Sequence, residues 1–251
     1  MEGPGAMTET SGALARTDGE TLAWRRVAGE GPTVVWLGGF HSDMAGTKAQ
    51  ALAEWALARG RSYLRFDYFG HGESSGEFLD GTITRWRADV LAVIDDLTQG
   101  PLALVGSSMG GWLSLLAAVA RPERIAALVL VAPATDFTEA LIKPSLTAEA
   151  RAVLEREGVW TPPGGGYPIS RALIEDGARW SLLPGPLGFR GPVRILQGAV
   201  DDAVPWPHAQ QLVAALESRD VVFTLVKDGD HRLSRPQDLE RLVQAVEEVG
   251  G

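Results

Sequence analysis

From residue 20 onward, apolar residues come in short blocks whose spacing alternates between two patterns: continuous runs and a helical period. Residues 33–37 form an apolar run ending in Gly38-Gly39, which predicts a buried strand with a tight exit. Residues 47–59 are rich in Ala and Leu and stop at Gly60, which predicts a helix. A strand follows at 62–66. Over 82–97, Ile83, Trp86, Val90, Ile94 and Leu97 recur at spacings of three and four and define one face of an amphipathic helix. A strand at 102–105 leads into 109–120, apolar nearly all round and so predicted as a helix buried against a sheet. The Ile/Leu/Val run at 125–131 has the composition of a central parallel strand.

Regularity breaks over 135–190. That stretch holds two helix-like segments and the loop Thr161-Pro162-Pro163-Gly164-Gly165-Gly166, which suits neither helix nor strand interior. Order returns with a strand at 193–196, a helix near 207–216, a strand at 221–226 and a closing helix. For the closing helix, Ser234, Pro236 and Gln237 form a start signal, and Leu239, Leu242, Val246 and Val249 an inner face. Alternating strands and helices predict an α/β fold with a doubly wound, mostly parallel sheet. The core then comprises 20–134 and 191–251. Residues 135–190, inserted after the sixth strand, read as a small helical lid over the carboxyl edge, where such sheets bind ligands. Residues 1–19 read as a disordered leader running into the first strand, with Met7 an alternative start.

Composition narrows the chemistry. The 251 residues include no Cys, which excludes a disulfide framework, a thiolate metal site and a Cys nucleophile. A net charge of -9 argues against nucleic acid as a partner. No apolar run reaches membrane-span length. No phosphate-loop pattern and no metal-ligand spacing occurs, so no cofactor and no metal is expected. The partner is then a small-molecule or acyl substrate, and the chain a monomer or dimer.

The strongest motif is Gly106-Ser107-Ser108-Met109-Gly110-Gly111, between a predicted strand and a predicted helix. This G-x-S-x-G turn lifts a serine hydroxyl above a sheet edge at a helix N-terminus, where developing negative charge is favoured. Ser108, not Ser107, stands at its centre. A serine needs a base. Of His41, His71, His208 and His231, the last follows the final strand at the same edge. In this arrangement the chain order is serine, acid, histidine. That order leaves His71 to anchor a loop, and His208, at a helix start, reads as a surface residue. The acid comes from Asp201-Asp202, with Asp201 favoured by its spacing before Val204-Pro205. Oxyanion donors are expected at the amides of Met109 and Phe40. Trp24, Trp55 and Trp86 read as packing residues. Trp112, Trp160, Trp180 and Trp206 are candidates for an apolar acyl or aryl pocket.

Together these residues resemble the α/β-hydrolase superfamily from residue 20 to 250. Within it, the chain is similar to the acyl-protein thioesterase and acyl-glucuronide esterase subgroup. The matching stretches are Gly39-Phe40, Gly46-Thr47-Lys48-Ala49, Arg65-Phe66-Asp67-Tyr68 with Gly72 and Ser74, Trp86-Arg87 with Asp89-Val90, the 106–112 turn, Asp201–Trp206 and Asp230-His231-Arg232. The resemblance implies a serine hydrolase of carboxylic esters or acyl thioesters, working through an acyl-enzyme on Ser108 with Asp201 and His231. An amidase or peptidase on the same fold is the alternative, and a non-catalytic binding protein a further one. Animal members of the subgroup are mitochondrial. No Arg-rich, acid-poor leader precedes residue 20, so the expected compartment is the cytoplasm.

Overall fold

The computed structural model describes residues 8–250. The main strands are β1 (Glu9–Ala15), β2 (Thr21–Val27), β3 (Glu30–Leu37), β4 (Arg61–Phe66), β5 (Leu102–Ser107) and β6 (Ile125–Val131). After the insertion come β9 (Val193–Gly198) and β10 (Val221–Val226). They form one eight-stranded sheet in the order β1-β2-β4-β3-β5-β6-β9-β10. Pairing is parallel from β4 to β10, and β1 and β2 add antiparallel at one edge. This is the α/β architecture that the alternating pattern predicts.

Side-chain alternation along the central strands divides the core in two. Val35 and Leu37 of β3, Leu102 and Leu104 of β5, and Leu128 and Leu130 of β6 face one layer. That layer is completed by α2 (Ile83–Leu97), α3 (Met109–Ala120) and α7 (Trp206–Ala215). Val34, Trp36, Ala103, Val105, Ala127 and Val129 face the other, against α1 (Thr47–Arg59) and α8 (Pro236–Gly250). Parallel strands buried on both faces need continuous apolar runs, which is why these strands stand out in the sequence.

Two local expectations change. The first strand, β1, already begins at Glu9, within the stretch read as leader; Met7 lies outside the described residues. The strand is exposed along most of its length, so it carries no apolar alternation. Backbone pairing to β2 holds it, together with a two-pronged ion pair in which buried Arg65 donates to both Glu9 carboxylate oxygens at 2.8 and 2.7 Å. Helix α8 is not started by Ser234, whose hydroxyl donates to the Arg232 carbonyl. Instead, Asp238 reaches back to accept from the Arg235 N–H at 3.3 Å and the Arg235 Nε at 2.7 Å.

The insertion between β6 and β9 is richer than two helices and a loop. It contains a wide helical turn (Thr138–Ile142), the short α4 (Lys143–Ser145), α5 (Ala148–Glu157) and a two-stranded ribbon of β7 (Val159–Trp160) and β8 (Ile169–Ser170). Then follow α6 (Arg171–Gly177) and a tight turn (Ala178–Trp180). Leu146, Ala150, Leu154, Ile169 and Ile174 give it a small core of its own. Polar contacts dock it on the main layer: Asp176 accepts from the Thr84 N–H and hydroxyl, both at 2.7 Å, and Trp180 Nε1 donates to that hydroxyl. At its base, the Asp136 carboxylate accepts the N–H groups of Leu182 (2.9 Å) and Leu183 (2.8 Å), tying the entry of the insertion to its exit.

That tie generates a prediction. Asp136→Ala strips two partly buried N–H groups of their acceptor, at a cost of about 1–3 kcal/mol. The variant should melt earlier and be cleaved faster within 135–190 by limited proteolysis. An unchanged cleavage rate would contradict the role given to Asp136.

Candidate active site

Strand β5 ends at Ser107 and α3 begins at Met109, so one residue makes the whole turn. Ser108 does so at φ 54°, ψ -118°, a backbone conformation that costs about 1–3 kcal/mol and persists only when its surroundings impose it. They do. The Ser108 N–H donates to the Val131 carbonyl at 2.9 Å, and the Ser108 carbonyl accepts from Gly111 and Ala134. The flanking glycines leave no room for side chains. A Cβ on Gly110 would stand 2.0 Å from the Leu37 carbonyl oxygen, and one on Gly106 2.3 Å from that of Gly110.

Loops from three strand ends meet here. Ser108 Oγ lies 3.1 Å from His231 Nε2, and His231 Nδ1 lies 2.8 Å from Asp201 Oδ2. With the carboxylate oxygen as acceptor, Nδ1 donates to Asp201 and Nε2 is left to accept from the hydroxyl. Asp201 is buried and fully engaged: Oδ1 accepts the N–H groups of Ala203 (2.9 Å) and Val204 (2.7 Å), and Oδ2 also accepts from Gln197 Nε2 at 3.1 Å. Asp202, its neighbour and rival, is exposed. Gln197 was not singled out from sequence. Its signal is a polar residue in the otherwise apolar run of β9, and it is completely buried.

The loop after β3 closes the other side. Gly39 packs on the serine: a Cβ there would be 3.3 Å from Ser108 Cβ. Phe40 follows, its ring edge-on to Phe78 and Trp86, and Met109 is buried beside the turn. His71 sits behind this loop, buried, with Nδ1 donating to the Phe69 carbonyl at 3.1 Å and Nε2 accepting the His41 N–H at 3.2 Å. Burial pushes its pKa down to about 4. Asp67, at the end of β4, accepts from the Met44 and Glu73 N–H groups, and burial pushes it up to about 6.

In front of Ser108 opens a cavity of about 640 Å³. Phe40, Phe137, Leu141, Ile142 and Ile169 supply an apolar wall, much of it from the insertion. Another part of the lining is polar, with Ser42, Asp43, Lys48, Arg232 and Ser234. Lys48 Nζ donates to the Arg232 carbonyl, next to His231 in sequence, and burial pushes Lys48 down to about 8. Among the described residues, no group of three or more His, Asp or Glu could hold a metal ion, and no helix is long and apolar enough to cross a membrane.

Five placements differ from expectation. None of the four tryptophans expected in the pocket lines this cavity. Trp112 is buried behind the wall, edge-on to Phe137 at 5.6 Å, its N–H donating to the Trp180 carbonyl. Trp180 lies in the seam between insertion and core, with the Arg87 guanidinium over its ring. Trp160 packs on the core of the insertion, and Trp206 is partly exposed at the start of α7. These four large aromatics serve packing, and the aromatic part of the cavity wall comes instead from Phe40, Phe137 and Tyr167, with Trp36 at the end of β3. His208 is not on the surface: it is buried, with Nε2 donating to the Thr135 carbonyl at 2.7 Å.

Comparison with known proteins agrees with this architecture. The family model described as serine aminopeptidase, S33, matches residues 31–163. The bovine palmitoyl-protein thioesterase ABHD10, mitochondrial, is 40% identical over 94% of this chain and 78% of its own length. The human protein of the same name is 39% identical over the same shares. Among solved structures, mouse α/β-hydrolase domain-containing protein 10 superposes with a TM-score of 0.89 at 36% identity, covering 95% of this chain and 97% of its own. A hydrolase from Agrobacterium vitis S4 superposes with a TM-score of 0.90 at 42% identity, covering 98% and 99%. The mammalian names overturn the cytoplasmic expectation, since these relatives are mitochondrial. That expectation rested on the character of the leader, whereas address signals are read by receptors and leave no mark on the fold.

Two predictions follow from the geometry. Gly110→Ala, with its Cβ driven into main chain, should lose at least about 3 kcal/mol of stability in urea unfolding; a loss under 1 kcal/mol (about a fivefold change in folding equilibrium) would contradict the close approach. For Lys48, the folded pKa is about 8 against 10.5 in the unfolded chain. Between those values the unfolded state holds more protons, so this group makes stability rise with pH. Wild type should therefore gain on Lys48→Met as pH is raised from 8 toward 10, and a constant gap would argue against a desolvated ammonium.

Proposed function

The chain belongs to the α/β-hydrolase superfamily as an ester and thioester hydrolase, and we propose that it works through an acyl-enzyme formed on Ser108. The observation that carries this reading is the unbroken chain Ser108 Oγ–His231–Asp201, whose serine and histidine line the cavity. His231 Nε2 takes the hydroxyl proton as Oγ attacks the acyl carbonyl. The carbonyl electrons move onto oxygen, and the N–H groups of Met109 and Phe40 donate to that oxyanion. Collapse expels the alkoxide or thiolate, which leaves with the proton held by His231. Water, deprotonated by the same imidazole, then releases the acid and regenerates Ser108. Asp201 stays ionised throughout and stabilises the imidazolium.

The substrate assignment rests on the cavity. Its apolar wall of Phe40, Phe137, Leu141, Ile142 and Ile169 suits an acyl chain, and its polar lining suits a hydrated leaving group. The thioesterase names of the mammalian relatives support a thioester substrate with a fatty acyl chain. The family description names an aminopeptidase, and the same triad chemistry cleaves amides, so matched amides belong in the test.

Wild type and Ser108→Ala are to be assayed on p-nitrophenyl esters, acyl thioesters and the corresponding amides across a series of acyl lengths. Ser108→Ala should lose about 10³-fold or more in kcat. Turnover retained by Ser108→Ala sinks the mechanism, and faster cleavage of an amide than of its matched ester turns the assignment toward an amidase.

A further inference from the structure

His41 is exposed and is not glycine, yet it stands at φ 57°. A left-handed backbone at such a residue needs something to hold it. Two contacts do so from opposite sides. From the core, buried His71 accepts the His41 N–H on Nε2. From the insertion, the Tyr167 ring stacks on the His41 ring, with centroids 4.1 Å apart and planes 17° from parallel.

His71 has little freedom of its own. Tyr68, Phe78 and Trp86 surround it edge-on, with centroids between 5.1 and 5.5 Å away. Its Nδ1 proton is committed to the Phe69 carbonyl, so Nε2 presents a lone pair in one fixed direction. The burial that lowers its basicity keeps it neutral, as an acceptor must be. The peptide it grips adjoins Phe40, whose N–H faces the oxyanion in the mechanism above. Turning one peptide turns its neighbour, and a donor displaced by even an ångström can cost about 10²-fold.

We propose that His71 is a positioning residue for the oxyanion site: by accepting the His41 N–H it fixes the 39–42 turn so that the Phe40 N–H stays aimed at the space over Ser108. The proposal rests on the Ser108 reading and adds to it a residue that touches neither substrate nor triad. No proton moves through His71.

Three variants separate positioning from mere support. His71→Leu removes the acceptor, His71→Gln places an oxygen near the position of Nε2, and Ser108→Ala reports on the parent reading. Binding is measured with an alkyl trifluoromethyl ketone, which forms a tetrahedral oxyanion on a serine, and with the matching fatty acid, which does not. His71→Leu should lower kcat and ketone affinity together by about ten- to a hundredfold, while leaving KM and fatty-acid affinity within about twofold. His71→Gln should restore most of the loss, and hydrogen exchange at residues 39–44 should be faster in the Leu variant than in wild type and the Gln variant. Unchanged ketone affinity in His71→Leu overturns the proposal. Equal losses of ketone and fatty-acid affinity also overturn it, since they mark a collapsed pocket. A Ser108→Ala protein that keeps its turnover fails the parent reading instead, so the two failures are told apart.

Discussion

The site depends on one backbone turn that the chain would not adopt by itself. Ser108 spends its conformational strain to stand above the sheet, and the surroundings offset that strain by hydrogen-bonding both its N–H and its carbonyl. Both Val131 and Ala134, which supply those bonds, belong to the end of β6 and the loop beyond it. Leu37, which leaves space only for a glycine at 110, ends β3. Three neighbouring parallel strands are therefore needed before the serine can point outward. Parallel pairing brings their carboxyl ends to one edge, and the loops after β4, β9 and β10 open at that edge too.

Two histidines at this edge sit in opposite settings. His71 is sealed among aromatics, and burial fixes it as a neutral acceptor. The His231 side chain is about one-third exposed, with a buried carboxylate on Nδ1 and the Ser108 hydroxyl on Nε2. Asp201 accepts from four donors, which fix its carboxylate against the His231 ring.

The insertion contributes shape. It has its own small core and rests on the main layer through Asp176, Trp180 and Asp136. His208 of α7 secures Thr135 at its entry. With Leu141, Ile142 and Ile169 it forms much of the apolar wall, so the dimensions of the cavity belong to the insertion and its chemistry to the sheet edge.

The central strands and their helices were legible because residues buried on both faces must be apolar throughout. The G-x-S-x-G turn was legible because close main-chain approach admits glycine alone. The start of strand β1 was read as leader, since an exposed edge strand is held by backbone bonds and one ion pair, neither of which leaves a periodic trace. Gln197 and the grip of His71 on His41 escaped for a related reason: a hydrogen bond across distant segments depends on direction, and direction is absent from a string of residues. The tryptophans misled because a large apolar ring suits a pocket and a core equally well. By itself, then, the sequence determined the parallel sheet, the position of the serine turn and the order of the three residues that meet there. Only tertiary structure decided which side chains wall the cavity and which hold others in place, because those roles are set by distances between segments that the chain brings together only on folding.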